Sequence, residues 1–266
     1  VSNLRPAECA GFVLVALIVV AGAAAPLLTR YAPDFQISGG TLLSAGVAHP
    51  FGTDDLGRDL FSRVLYGIRV DIVVSAAGVP LALVLGTALG LCGPLWGPAD
   101  VVIQRTFDVI LAFPILILGI AIAVITSPGL IAIVTTVALA NVPIFGRLAR
   151  AAVIAQRERD YVTAAQAIGA GPLRILVRHI LPNSVDALIV QAALSLATAV
   201  FVEGGMSFVG VGIRVPAPSL GNILNESLPY LASNPNFALG PVIVFTALVL
   251  GLNLIADGLN ARLSHR

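Results

Sequence analysis

Apolar residues run along this chain in long unbroken stretches rather than in alternation. The first run covers 10–28, and comparable runs lie near 70–94, 101–126, 129–150, 184–210 and 238–259. A helix needs about 20 mainly apolar residues to cross a bilayer, so the pattern predicts six spanning helices. Pro80, Pro114, Pro128 and Pro143 fall in or beside these runs. Proline is tolerated there because neighbouring helices satisfy the freed backbone groups. Arg5 before the first run and Ala23, Ala24 and Ala25 within it imitate a cleaved leader. The run exceeds the ~7–15-residue core of a signal peptide, which predicts a retained first span. Gly86-x-x-x-Gly90 in the second run is a small-xxx-small pattern that lets helix backbones approach.

Three polar segments interrupt the runs. Segment 29–69 begins loop-like, with Gly39, Gly40 and Gly46. Further on, Thr53 or Asp54 can cap a helix. Leu56, Leu60, Val64 and Ile68 recur every four residues, and Asp54–Arg58 and Asp59–Arg63 are spaced i,i+4. Together they predict an amphipathic helix lying on the outer membrane surface ahead of the second span. In segment 147–182, alanine-rich 163–168 favours a helix, and Gly169, Gly171 and Pro172 break it. Leu173, Leu176, Val177 and Ile180 mark a second short helix, and Pro182 suits the first turn of the fifth span. Stretch 211–237, rich in Pro, Asn and Ser, reads as an outer loop.

Composition strengthens the membrane reading. Apolar residues make up 58% of the chain, charged residues 11%, and mean hydropathy is +0.97. A soluble domain is about 25% charged. All the basic residues are arginine. With the N-terminus inside, Arg5, Arg105, Arg147, Arg150, Arg157, Arg159, Arg174, Arg178, Arg262 and Arg266 fall on the inner side. Arg30, Arg58, Arg63, Arg69 and Arg214 fall outside. This bias places both termini in the cytoplasm. Cys9 and Cys92 read as small packing residues.

Charge inside a span is costly, so Glu203 is a candidate functional group. Its alternative is a packing role, hydrogen-bonded to neighbouring helices, or a protonated carboxyl. With Ser207, Phe208 and Asn141 it is assigned to a translocation path or gate. Asp257 reads as snorkelling or pairing with Arg262. A phosphate-binding loop of the Walker type needs lysine, and the chain has none. His49, His179 and His265 are widely separated, and no nucleophile constellation is present, so nothing argues for an enzyme.

Two strings are more specific. Gly52-Thr53-Asp54-Asp55-Leu56-Gly57-Arg58-Asp59, with Ser62-Arg63 and Tyr66-Gly67, resembles the signature of C-type permeases from dipeptide, oligopeptide and nickel ABC importers. Ala164-Ala165, Gly169 and Leu181-Pro182 match the spacing of the cytoplasmic motif of ABC-importer permeases, with Thr163 where the motif has Glu and His179 where it prefers Ile. The strings Glu203…Gly212, Pro216…Asn222 and Leu252…Leu259 add to the likeness, with Leu220 where the family often has Trp. The resemblance spans about 49–266 and implies an all-α, six-helix MetI-like permease of a type I importer. Residues 1–69 then hold the first span and outer segment, and 70–266 a five-helix core with a coupling helix near 163–176.

That resemblance assigns ATPase coupling to Thr163, Ala164, Ala165, Ala167, Gly169, Arg174, Leu181 and Pro182, and the outer signature to Gly52, Thr53, Asp54, Gly57, Arg58 and Asp59. It implies a B-type partner permease, cytoplasmic ATPase subunits, an extracytoplasmic solute-binding protein and a peptide substrate. The setting is a bacterial or archaeal plasma membrane, with lipid as a partner and no nucleic acid. ATP and Mg would bind the ATPase, and this chain would hold no cofactor. The alternative is a secondary transporter or channel using Glu203 or Asp108 as an ion site.

Overall fold

The computed structural model describes residues 6–157 and 159–263. Arg5, Glu158, His265 and Arg266 lie outside the described residues, so the orientation argument loses two of its arginines here. Helix α1 covers Pro6–Ala23 and α2 covers Ala25–Leu28. After a long polar segment come α3 (Leu60–Cys92), α4 (Gly97–Leu111), α5 (Ile115–Thr126) and α6 (Leu130–Arg157). The short α7 (Asp160–Ala167) and α8 (Pro172–Ile175) lead into α9 (Leu181–Phe208). Helices α10 (Leu220–Ser227) and α11 (Asn236–Leu263) complete the chain.

Among the described residues, four helices, α3, α6, α9 and α11, are long and apolar enough to cross a membrane. The expected third span is broken: α4 and α5 meet at 97°. Pro114 stands at this bend, where it cannot supply an N–H to continue α4. Pro80, Pro143 and Pro241 sit inside α3, α6 and α11 without ending them.

Helix direction follows from close approaches. Gly11 of α1 faces Gly251 and Ile255 of α11, and Glu8 faces Gly258, so these two helices are antiparallel. Residues 6 and 263 therefore share one end of the bundle, called the terminal end below. Helices α3 and α6 run parallel: Gly78 meets Val137, Gly86 meets Val142 and Phe145, and Gly90 meets Gly146. The Gly86/Gly90 pair is thus a backbone seam, as its spacing predicts. The core gathers along this seam, with Val74, Ala82, Phe107, Ile133, Phe145 and Val202 all buried.

The separate amphipathic helix expected ahead of the second span does not form. Residues 60–69 are the first turns of α3 itself, which crosses the 69/70 boundary without interruption. The cap is Asp59, whose carboxylate accepts from Ser62 N at 2.8 Å, rather than Thr53 or Asp54. Leu56 precedes the helix and is exposed, whereas Leu60, Val64 and Ile68 are buried against protein. A buried stripe has no need of an interfacial position. Stretch 211–237 also departs from a plain loop, since α10 inserts Leu220 and Ile223, both fully buried, among α3, α9 and α11.

The seam yields a direct prediction. A side chain at Gly90 would strike the Gly146 backbone, which cannot move aside as a rotamer can. Gly90→Leu should destabilise the fold by about 1–3 kcal/mol or more. Thermal unfolding followed through Trp96, the chain's only tryptophan, measures this.

Candidate functional site: a coupling face and buried polar clusters

Helix α7 ends where its sequence says it must. Gly169 adopts φ +84°, open to glycine at no steric cost. Gly169 N donates to Gln166 O at 2.9 Å, and Ala170 N donates to Ala165 O at 3.0 Å. These two bonds form a Schellman closure that satisfies the last carbonyls of the helix. Pro172 then opens α8, and a wide π-turn over Leu176–Ile180 passes directly into α9, with Pro182 in its first turn.

One side of this segment is fixed to the bundle. Val162 and Ala165 of α7, with Ile175, Leu176 and Ile180, are buried against Leu91 of α3 and Ala149 and Val153 of α6. The other side is open: Thr163, Ala164, Ala167, Gly169 and Arg174 are exposed, and Ile168 is 86% exposed. The structure thus divides the predicted coupling residues. Ala165 is 6% exposed, packed into this chain's own core with only its edge reaching the cavity beside α7, while Ala164 and Ala167 are fully presented. Leu181 is half-buried and Pro182 exposed. Beside α7 lies a cavity of about 450 Å³ lined by Tyr161, Ala164, Ala165, Ile168, Ala170, Arg174, Arg178 and His179. Nearby, Arg150 holds Asp100 in a two-point grip, with Nε to Oδ1 at 2.8 Å and Nη2 to Oδ2 at 2.7 Å. This pair fixes the start of α4 to α6.

The 52–59 string builds a buried clamp at the opposite end. Gly52 and Gly57 take φ +81° and +74°. Thr53 Oγ1 donates to Gly40 O and accepts from Leu43 N. Asp54 is the hub. Its Oδ1 accepts from Leu56 N and Arg58 N, and its Oδ2 accepts from Arg58 Nε at 2.5 Å and Arg63 Nη1 at 2.7 Å. Both arginines also pair with Glu226 of α10, at 3.2 and 2.9 Å. The expected Asp59–Arg63 pair is replaced: Asp59 holds Ser62 and His49, the latter at 2.8 Å. The signature residues are buried, so their work is to lock the outer segment onto α3 and α10.

Glu203 is fully buried in α9 and accepts from Ser207 Oγ at 2.7 Å. Ser207 Oγ accepts in turn from Ile213 N at 3.1 Å, and Asn222 Nδ2 donates to Ile213 O at 2.7 Å. Phe208 is 37% exposed, and Asn141 is buried on α6, donating to Val137 O at 2.8 Å. Asn141 is therefore not joined to the Glu203 group by any hydrogen bond among the described residues. The sequence reading missed Asp71 of α3, which is buried in contact with Glu203. An acid within the apolar run 70–94 was the available signal. It also missed the ion pair between Glu8 and Arg262 at 2.8 Å, which replaces the pairing expected for Asp257. Asp257 is exposed, and Asp108 pairs with Arg147 at 2.5 Å on the surface.

Comparison with known proteins now bears on these clusters. The family described as "Binding-protein-dependent transport system inner membrane component" matches residues 78–266. The dipeptide transport system permease protein DppC of Alkalihalophilus pseudofirmus is 40% identical over 257 residues, covering 96% of this chain and 84% of that protein. The di/tripeptide transport system permease protein DppC of Pseudomonas aeruginosa is 37% identical over 263 residues, covering 96% and 87%. Inward-facing MetNI methionine ABC transporter coordinates superpose with a TM-score of 0.60 at 19% identity, over 76% of this chain and 96% of theirs. That likeness concerns the fold.

The clamp predicts its own test. Asp54→Asn leaves two buried guanidinium groups sharing only Glu226, which should cost about 3–5 kcal/mol. The expected reading is a lowered unfolding midpoint, with proteolysis beginning within residues 29–59. An unchanged midpoint would mean that the clamp carries no stability.

Proposed function

The chain belongs to the family of binding-protein-dependent transport system inner membrane components and is a non-catalytic ABC-importer permease of the plasma membrane, and we propose that its cargo is a di- or oligopeptide. Support comes from relatives named for dipeptide and di/tripeptide transport that match nearly the whole chain. The family assignment removes the ion-gradient alternative, and Asp108 and Glu203 need no role as ion sites.

In this reading the terminal end faces the cytoplasm. It carries Arg105, Arg147, Arg150, Arg157, Arg159, Arg174, Arg178 and Arg262, in line with the positive-inside bias. At the opposite end Arg58 and Arg63 are already neutralised by Asp54 and Glu226. Helix α1, extended by α2, supplies the first crossing and the bent α4–α5 pair the third, making six. Segment 163–176 is the coupling element that meets an ATPase subunit, and ATP and Mg belong to that subunit. A related B-type permease covers the exposed apolar sides of α3 and α9, and an external solute-binding protein delivers the peptide to the opposite end.

The observation that carries this reading is the two-sidedness of α7. Its inner side is welded to α3 and α6, and its outer side presents small or apolar residues to open space. A surface so built transmits motion without absorbing it. The arginines and His179 around the adjoining cavity suit a partner rim with acidic or carbonyl groups.

Ala167→Arg tests the docking. The position is exposed and helical, so the chain should fold and reach the membrane in normal amount. Co-purification of the ATPase subunit should fall about tenfold or more, as expected for a bulky charge in a close-packed contact. Undiminished association together with normal transport would overturn the assignment.

A further inference from the structure

Two carboxyl groups face each other inside the bundle with no cation between them, and the Ser207 and Ser219 hydroxyls lie within reach of Glu203. Asp71 of α3 and Glu203 of α9 are 1% and 0% exposed and in contact. Both oxygens of Asp71 and Oε2 of Glu203 are buried and receive no hydrogen bond among the described residues. The buried arginine at the head of α3, Arg63, is committed to Asp54 and Glu226. Apart from the Ser75 hydroxyl, which has no hydrogen-bond partner among the described residues, the cleft of about 220 Å³ beside Asp71 is apolar, lined by Val15 and Val19 of α1, Val200 of α9, and Leu248 and Leu252 of α11.

Ionised carboxylates only accept hydrogen bonds. Two of them in contact, away from water and without a cation, repel each other and lose their hydration. One proton removes both costs, because it turns one acceptor into a donor and leaves a single charge shared by the pair. The remaining charge on Glu203 is stabilised by the Ser207 hydroxyl.

We propose that Asp71 and Glu203 share one proton, and that this O–H···O bridge joins α3 to α9 beneath α10. The bridge completes a polar chain. It runs from Asp71 through Glu203 and Ser207 to Ile213, and from Ile213 to Asn222 of α10. Asp71 is then a positioning residue: it sets the Glu203 carboxyl, which sets the turn between α9 and α10. The proton is an ordinary solvent proton taken up on folding, and the pair behaves as one titrating unit rather than two.

The test is infrared spectroscopy of the purified full chain, combined with transport by the assembled complex. Wild-type protein at neutral pH should show the carbonyl stretch of one buried protonated acid. Asp71→Asn and Glu203→Gln should each abolish that band, because an amide N–H replaces the acid as donor. Asp71→Asn should keep transport within about threefold, whereas Asp71→Leu, which removes the only partner proposed for Glu203 Oε2, should lower folded yield or transport about tenfold or more. A wild-type spectrum without such a band would overturn the proposal. So would transport that requires sodium and is lost in both amide variants, since the bridge would then be a bound cation. The infrared reading needs no partner subunit, so it fails or succeeds independently of the importer assignment.

Discussion

The small apolar weld between α7 and the ends of α3 and α6 governs what this molecule can do. Val162 and Ala165 are buried against Leu91, Ala149 and Val153, and Ile175, Leu176 and Ile180 close the contact from the other side. Interiors packed this way are stiff. A push on the exposed face of α7 therefore reaches α3 and α6 as a displacement of whole helices. The π-turn at Leu176–Ile180 makes the second connection, because it runs into α9 without an intervening loop. One short element is thus tied to three long helices at once.

What those helices carry to the other end depends on how they are joined there. The glycine seam holds α3 and α6 backbone to backbone, so they move as a pair. At the far end, Asp54 and Glu226 bracket Arg58 and Arg63, tying α3 to α10 and to the segment before it. Buried charges of this kind persist only when fully paired, which explains why so many acids and bases of the outer segment fall within one cluster. Glu203 and Asp71 link α9 to α3 part-way between. The exposed face of α7 and the Asp54 clamp at the opposite end are therefore connected through α3, the helix that touches every one of these groups.

The long apolar runs were legible as helices because lipid crossing imposes length and composition directly, and α3, α6, α9 and α11 lie close to where those runs fall. The short helix α7 and the turn after it were legible for a different reason. Alanines followed by Gly169 and Pro172 leave the backbone little choice of where to turn. The misreadings share a cause. Leu56, Leu60, Val64 and Ile68 have a helical period, but periodicity does not say where a helix begins, and Asp59 rather than Asp54 supplied the cap. Of the two i,i+4 pairs, Asp54–Arg58 formed but Asp59–Arg63 did not, because Asp54 and Glu226 took Arg63; the Asp257–Arg262 pairing likewise gave way to Glu8. Asp71 carries the same signal as Glu203, an acid in an apolar run, but it is only the second residue of the run 70–94 and so reads as the end of the polar segment before it. Ala165 looked equivalent to Ala164 until the helix was seen to bury one and expose the other.

Site-directed cross-linking tests the central claim most directly. With Cys9 and Cys92 replaced by alanine, single cysteines would be placed at Ala164 on the exposed side of α7 and at Ala165 on its welded side, in the complete transporter. The account predicts that the Ala164 position forms a disulfide with a cysteine in the ATPase subunit's groove, and that its yield changes when nucleotide is added. The Ala165 position, 6% exposed at the edge of the same cavity, should form far less. Equal cross-linking at both positions, or none at Ala164 while the complex remains assembled, would contradict it.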